Sequence, residues 1–182
     1  MAAIAQLQQQ STSWNLEGTH SDVQFSVRHL GLFSVKGHFE KLSGSAKTSD
    51  GKLTEFEAII DTSSISTRNA DRDAHLRSPD FLDTEKYPEM RFKSTSVQET
   101  GPKTYKAIGD LTLAGQTHRV ELDVELSDVI TDPWGLTRTA AQATGQISRK
   151  QWGLVYNQIL ETGGLALGDE VKISIEVEAV AA

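Results

Sequence analysis

Val120-Glu-Leu-Asp-Val-Glu-Leu126 alternates apolar and acidic residues without a fault. In an extended chain successive side chains point to opposite faces, so this stretch has one dry face and one wet face. Val171-Lys-Ile-Ser-Ile-Glu-Val-Glu-Ala179 does the same near the end of the chain, and Val23-Gln-Phe-Ser-Val-Arg28 near its start. Such a sheet must close on itself or pack against a second layer to bury its dry face.

Outward from these three runs, weaker strand signals lie near residues 34–47, 53–61, 90–98, 104–113 and 137–148. Turn formers separate them. Asp50-Gly51 favours a tight turn with positive φ, and Gly101-Pro102, Ala114-Gly115 and Asp132-Pro133-Trp134-Gly135 break the neighbouring runs. Roughly eight short, regularly spaced strands predict an all-β sandwich or barrel. One segment differs. Asn69 to Asp83 reads as a short helix and a helical turn, capped by Thr67 or Asn69, with Asp71/His75 and Asp73/Arg77 as i,i+4 pairs. Ser78-Pro79-Asp80 reads as a second helix start. The expected role of this insertion is to close one end of a barrel.

The chain of 182 residues fits one domain, with residues 1–12 expected as a flexible arm and residues 13–182 as the folded unit. Its net charge of −7 argues against non-specific nucleic-acid binding, which depends on Lys and Arg releasing counterions. With no cysteine, disulfides, Cys-ligated zinc and Cys nucleophiles are excluded. The first residues lack a basic region and an unbroken apolar stretch, and no run nears the ~18 apolar residues of a membrane span. A cytoplasmic protein that does not span a membrane is the expectation.

An eight-stranded barrel encloses room for side chains or for one small ligand. Ala107, Gly109, Ala141, Ala143 and Gly145 are small residues at inward parity, interspersed with Phe25, Phe39, Phe56, Phe92, Tyr105 and Leu111. They are compatible with a long apolar void, which a lipid tail would fill, and equally with bulges and bends in a solid core. Periodicity does not choose between the two.

Catalytic and metal signatures are weak. The five histidines, His20, His29, His38, His75 and His118, show no H-x-x-x-H spacing. The adjacent His20, Ser21 and Asp22 do not make a triad, whose members are rarely sequence neighbours, and there is no G-x-S-x-G elbow. Arg72-Asp73-x-His75-Leu76-Arg77-Ser78 is the densest polar cluster: either a solvated helix face, or a cavity mouth where Arg72 or Arg77 meets a phosphate and Asp73 or His75 orients that arginine by charge-assisted hydrogen bonds. Trp152, just after a strand, suits core packing or a tunnel wall.

Several of these stretches stand together in a recognisable order. His20-Ser21-x-Val23-x-Phe25-x-Val27-Arg28-His29 precedes Gly37-x-Phe39. Then come Arg72-Asp73-x-His75-Leu76-Arg77-Ser78-x-Asp80-Phe81-Leu82-Asp83, Tyr87-Pro88 and Phe92. Gly109-x-Leu111-Thr112-Leu113-x-Gly115-x-Thr117, Arg149-x-x-Trp152-Gly153 and Leu167-Gly168-Asp169-Glu170-Val171-x-Ile173 follow. From about Trp14 to Val180 the chain resembles the YceI-like family of polyisoprenoid-binding proteins.

The resemblance implies an extended, antiparallel lipocalin-like barrel around an apolar tunnel for the polyisoprenoid tail of a quinone or prenyl phosphate. It also implies a homodimer and no required cofactor. Family members are often periplasmic, whereas this start carries no export signal, and Trp152 stands where phenylalanine is usual. Strand parity and the resemblance together nominate Phe25, Val27, Phe39, Phe56, Phe81, Phe92, Leu111 and Trp152 as lining residues. They nominate His20, Arg72, Asp73, His75 and Arg77 as a polar network at the head or mouth. The expected function is non-enzymatic carriage or sequestration of a long-chain isoprenoid or other amphiphilic lipid. The alternatives are a stress-response or structural domain with a filled core, and a lipid-modifying enzyme working through His20, Asp73 and His75.

Overall fold

A computed structural model describes residues 11–182. Eleven strands form one antiparallel sheet: β1 (Thr12–His29), β2 (Phe33–Phe39), β3 (Leu42–Ser49), β4 (Lys52–Asp61), β5 (Ile65–Ser66), β6 (Glu89–Gly101), β7 (Thr104–Leu113), β8 (Gln116–Leu126), β9 (Ile130–Thr131), β10 (Thr137–Ser148) and β11 (Leu167–Ala181). Among the described residues one α-helix, α1 (Ala70–Arg77), lies between β5 and β6, and short 3₁₀ turns cover Thr62–Ser64 and Arg149–Trp152. Eight strands close a barrel in the order β1-β3-β4-β6-β7-β8-β10-β11, because β11 pairs again with β1. Among the described residues no helix is long and apolar enough to cross a membrane.

The alternating run Val120–Leu126 lies on β8 with its apolar residues inward. Val120, Leu122 and Val124 of β8 are buried between exposed acidic neighbours, and they face Gly109, Ala107 and Tyr105 of β7 across the ladder. Asp50-Gly51 and Ala114-Gly115 both turn with positive φ at each residue, as two-residue hairpin loops require.

Two boundaries depart from the sequence reading. Residues 34–47 are two strands, since the chain breaks at Glu40, whose amide leaves the ladder to donate to Ser64 O (3.2 Å). β1 is 18 residues long and reaches back to Thr12, which pairs with Thr48. A register shift between Glu17 and Asp22 interrupts its pairing with β11, and there the alternation fails. Most of the expected N-terminal arm, residues 1–10, lies outside the described residues.

This long strand decides where the barrel opens. The first part of β1 pairs with β3, but Val23–His29 pairs instead with β2, and β2 continues only into the two-residue β5. The sheet therefore gapes at one end between β2 and the β4–β6 wall. Helix α1 and the turns after it fill that gap, with Leu82 buried against the core.

Candidate functional site

The barrel interior holds two apolar chambers. The larger has a volume of about 400 Å³ and lies at the α1 end. Its walls are Val23, Phe25, Val27 and His29 of β1; Val35 and Phe39 of β2; Ile60 of β4; Met90 and Phe92 of β6; Leu111 and Leu113 of β7; and Val171 and Ile173 of β11. Helix α1 adds Arg72, His75 and Leu76, the following turn adds Phe81 and Leu82, and the 153–166 loop adds Tyr156, Asn157 and Gln158. The smaller chamber, about 130 Å³, occupies the other end among Trp14, Leu16, Ala46, Leu53, Val124, Ala141, Ala143 and Val177. Phe56, Ala58 and Ile175 line both. Phe56 stacks on Phe92 (centroids 5.2 Å apart), so the pair forms a waist between the chambers.

The small residues act differently from one another. Ala141 and Ala143 line the smaller chamber. Ala107 is fully buried and lines neither. Gly109 leaves no void either, because a Cβ there would sit 2.5 Å from the Phe92 ring.

Phe25, Val27, Phe39, Phe56, Phe81, Phe92 and Leu111 all face the larger chamber. Trp152 does not. It is 1% exposed, its indole N–H donates to Leu111 O (3.0 Å), and its ring packs edge-on against His118. Its 3₁₀ turn aims the indole at the β7–β8 side, where strand parity no longer applies.

The polar residues of the α1 stretch separate into scaffold and mouth. The Asp73 carboxylate is buried and accepts from Thr67 N (2.8 Å) and Thr67 Oγ1 (2.5 Å). Arg72 donates to Thr67 Oγ1 (2.8 Å) and Thr67 O (2.9 Å) with part of its surface still on the chamber. Arg77 donates to Ser63 O and Ile65 O, both at 2.8 Å, which pins the helix to the barrel. These bonds replace the expected Asp71/His75 and Asp73/Arg77 pairs, since backbone groups beside β5 satisfy Asp73 and Arg77 more fully than solvent-facing partners would. Asn69, not Thr67, caps α1, accepting from Arg72 N at 2.9 Å. Ser78 ends the helix and does not start a second one. His75 pairs with Asp80 (2.8 Å) and packs against Phe81 and Tyr156, so three rings crowd one side of the mouth.

His20 lies elsewhere. It sits outside the barrel toward the opposite end, where its Nδ1 is 3.1 Å from Glu17. Glu17, His20 and Glu178 bring three potential metal-ligand atoms together, but Arg138 already donates to both carboxylates and to Asp132 (2.5 Å), supplying the positive charge that a cation would bring. The guanidinium holds Glu17 and Asp132 below their ordinary carboxylate range.

Two polar residues at the mouth escaped the sequence reading. Arg149 is almost wholly buried and gives its donors to the carbonyls of Leu154, Tyr156, Leu167 and Gly168, tying down the 153–166 loop. Burial lowers its pKa from the ordinary arginine value. His29 Nδ1 is the one buried side-chain polar atom among the described residues without a hydrogen-bond partner, and His29 lines the larger chamber. Its inward parity with Phe25 and Val27 was the available signal.

Comparison with known proteins places this geometry in company. A family model described as a YceI-like domain matches residues 14–179. A UPF0312 protein of Staphylococcus epidermidis is 39% identical over 170 residues, covering 92% of this chain and 96% of the relative. The crystal structure of the Campylobacter jejuni YCEI protein superposes with a TM-score of 0.72 at 27% identity, covering 84% of this chain and 88% of that one. A polyisoprenoid binding domain from Saccharophagus degradans superposes with a TM-score of 0.67 at 16% identity over 94% of this chain and 99% of that one, which shows the shared fold.

Proposed function

The chain belongs to the YceI-like domain family, and from that premise we propose that its barrel binds the tail of a polyisoprenoid lipid of quinone or prenyl-phosphate type. The tail lies in the larger chamber and the polar head stays at the mouth beside His29, Arg72 and His75. One observation carries the reading: an apolar chamber of about 400 Å³ that the barrel's own side chains leave open, with a buried, unpartnered imidazole nitrogen on its wall. Empty apolar space forfeits dispersion contacts, and an unpaired buried polar atom is costly, so an amphiphile repairs both deficits at once. Scaling from an engineered cavity of ~150 Å³ that takes benzene, about 400 Å³ accommodates roughly fifteen carbons, or three isoprene units. The name of the Saccharophagus degradans domain supports an isoprenoid over other lipids.

The same geometry favours a carrier or sequestering protein over a catalyst. At the mouth Asp73, Arg72, Arg149 and His75 are already held by protein partners, and among the described residues no hydroxyl bonds the His75 ring. A filled structural core is disfavoured by the volume of the larger chamber. The reading needs no cofactor and includes the homodimer that the family resemblance implies, which sedimentation tests. Its direct test is native mass spectrometry of the purified protein before and after incubation with prenyl quinones and prenyl phosphates. A one-to-one mass increment is expected. A protein that carries no lipid and takes up none overturns the proposal.

A further inference from the structure

The mouth of the larger chamber is ringed by apolar side chains that point into solvent. The turn between β1 and β2 presents Leu30, Leu32 and Phe33, with Leu32 77% exposed. Beside it the 153–166 loop presents Val155, Ile159 and Leu165, with Ile159 83% exposed. The two segments are physically joined: Leu30 N donates to Ala166 O (2.8 Å), and His29 pairs with Leu167. Residues of the same segments, His29, Gln158 and Ala166, line the chamber. The exposed apolar surface is therefore continuous with the entrance to the lipid site.

Charge marks the arc of the mouth formed by these two segments, whereas the α1 arc carries Asp80, already paired with His75. In a chain of net charge −7, residues 28–36 carry Arg28 and Lys36 and no carboxylate. Both are exposed, and among the described residues neither is in an ion pair. The 153–166 loop contributes one carboxylate, Glu161. The turn also keeps a leucine at φ +55°, a left-handed backbone that glycine or asparagine tolerates better. Large apolar residues flanked by cations are what an interfacial lipid site requires, with the apolar groups entering the headgroup boundary and the cations meeting anionic headgroups.

We propose that this rim docks the protein, mouth down, on the surface of a bilayer containing anionic lipids, so that a ligand passes between membrane and chamber without crossing water. The proposal rests on the lipid-binding reading, but docking itself is measurable without any ligand. The test is flotation of the full chain with vesicles of phosphatidylcholine alone and of phosphatidylcholine mixed with anionic phosphatidylglycerol, whose negative surface attracts exposed Lys and Arg. It is run for the wild type, Leu32→Asp/Ile159→Asp and Arg28→Glu/Lys36→Glu.

Wild type is expected to float with the anionic vesicles, and each double variant to lose at least tenfold in partitioning. All three should take up prenyl quinone equally from detergent solution. No flotation of the wild type, or equal flotation of the variants, overturns docking. A fall in sedimentation mass on Leu32→Asp/Ile159→Asp also overturns it, because a second copy then covers the rim. If the wild type floats but takes up no quinone from detergent, the docking surface stands and the lipid-binding reading fails, which keeps the two claims apart.

Discussion

Phe56→Ala is the most informative single change, because Phe56 borders both chambers and its ring closes the waist with Phe92. Losing the ring joins spaces of about 400 and 130 Å³ into one. By the benzene yardstick, the smaller chamber holds about five or six carbons and the vacated ring volume about as many again. The variant then has room for roughly two more isoprene units than the wild type. Buried methylenes contribute ~0.8 kcal/mol each, so each further five-carbon isoprene unit offers ~4 kcal/mol before chain ordering is deducted. Retaining only a third of that shifts affinity about tenfold, at 1.4 kcal/mol per decade.

The ligand-free variant is destabilised by about 3 kcal/mol, the lower end for Phe→Ala, because Phe56 is only half-buried and already borders open space. The assay is isothermal titration with a prenyl series of increasing length, alongside urea melts of the ligand-free protein. Wild-type affinity should plateau near three isoprene units and the variant's near five. Identical length profiles would refute the two-chamber reasoning.

Other changes separate scaffold from lining. Arg149→Ala orphans the carbonyls that hold the 153–166 loop, and a loss of about 3 kcal/mol in urea melts is expected, with faster amide exchange confined to that loop. Trp152→Phe removes one buried hydrogen bond, to Leu111 O, at a cost of about 1 kcal/mol, and leaves lipid affinity unchanged since Trp152 faces away from the chamber. Glu17, Asp132 and Asp169 have lowered carboxylate pKa values in the folded state, so the stability they contribute is present above the ordinary carboxylate range and lost as pH falls through the folded values. Urea midpoints should therefore drop below about pH 4. In Arg138→Gln, which deprives Glu17 and Asp132 of the partner that lowers their pKa values, stability at neutral pH should fall and the acid limb should be shallower than in the wild type.

What the sequence disclosed follows its physics. Where one face of a strand is wet and the other dry, as in β8 and β11, parity alone placed Val120, Leu122, Val124 and the chamber-facing Val171 and Ile173. Where register shifts, as between Glu17 and Asp22, alternation vanishes and half of β1 was invisible. Parity likewise carried Phe25 and Phe92 to the chamber but failed for Trp152, which sits on a 3₁₀ turn. Asn69 was legible as a helix cap because capping is local, while Arg77 was misassigned because its partners, Ser63 and Ile65, come from a turn and a strand that periodicity cannot dock against the helix. His20 and His75 shared a proposed network that the barrel places at different ends. Arg149 was quoted only as part of the Arg149-x-x-Trp152-Gly153 stretch and given no role, because nothing local announces that four carbonyls will surround it.

The account stands or falls on whether an alkyl chain threads the barrel. A crystal structure of the protein loaded with a prenyl quinone measures that directly. It should show elongated density starting beside His29 Nδ1 and running past Phe92 to the Phe56 waist. Quinone density confined to the outer surface, with the interior unchanged, would contradict it.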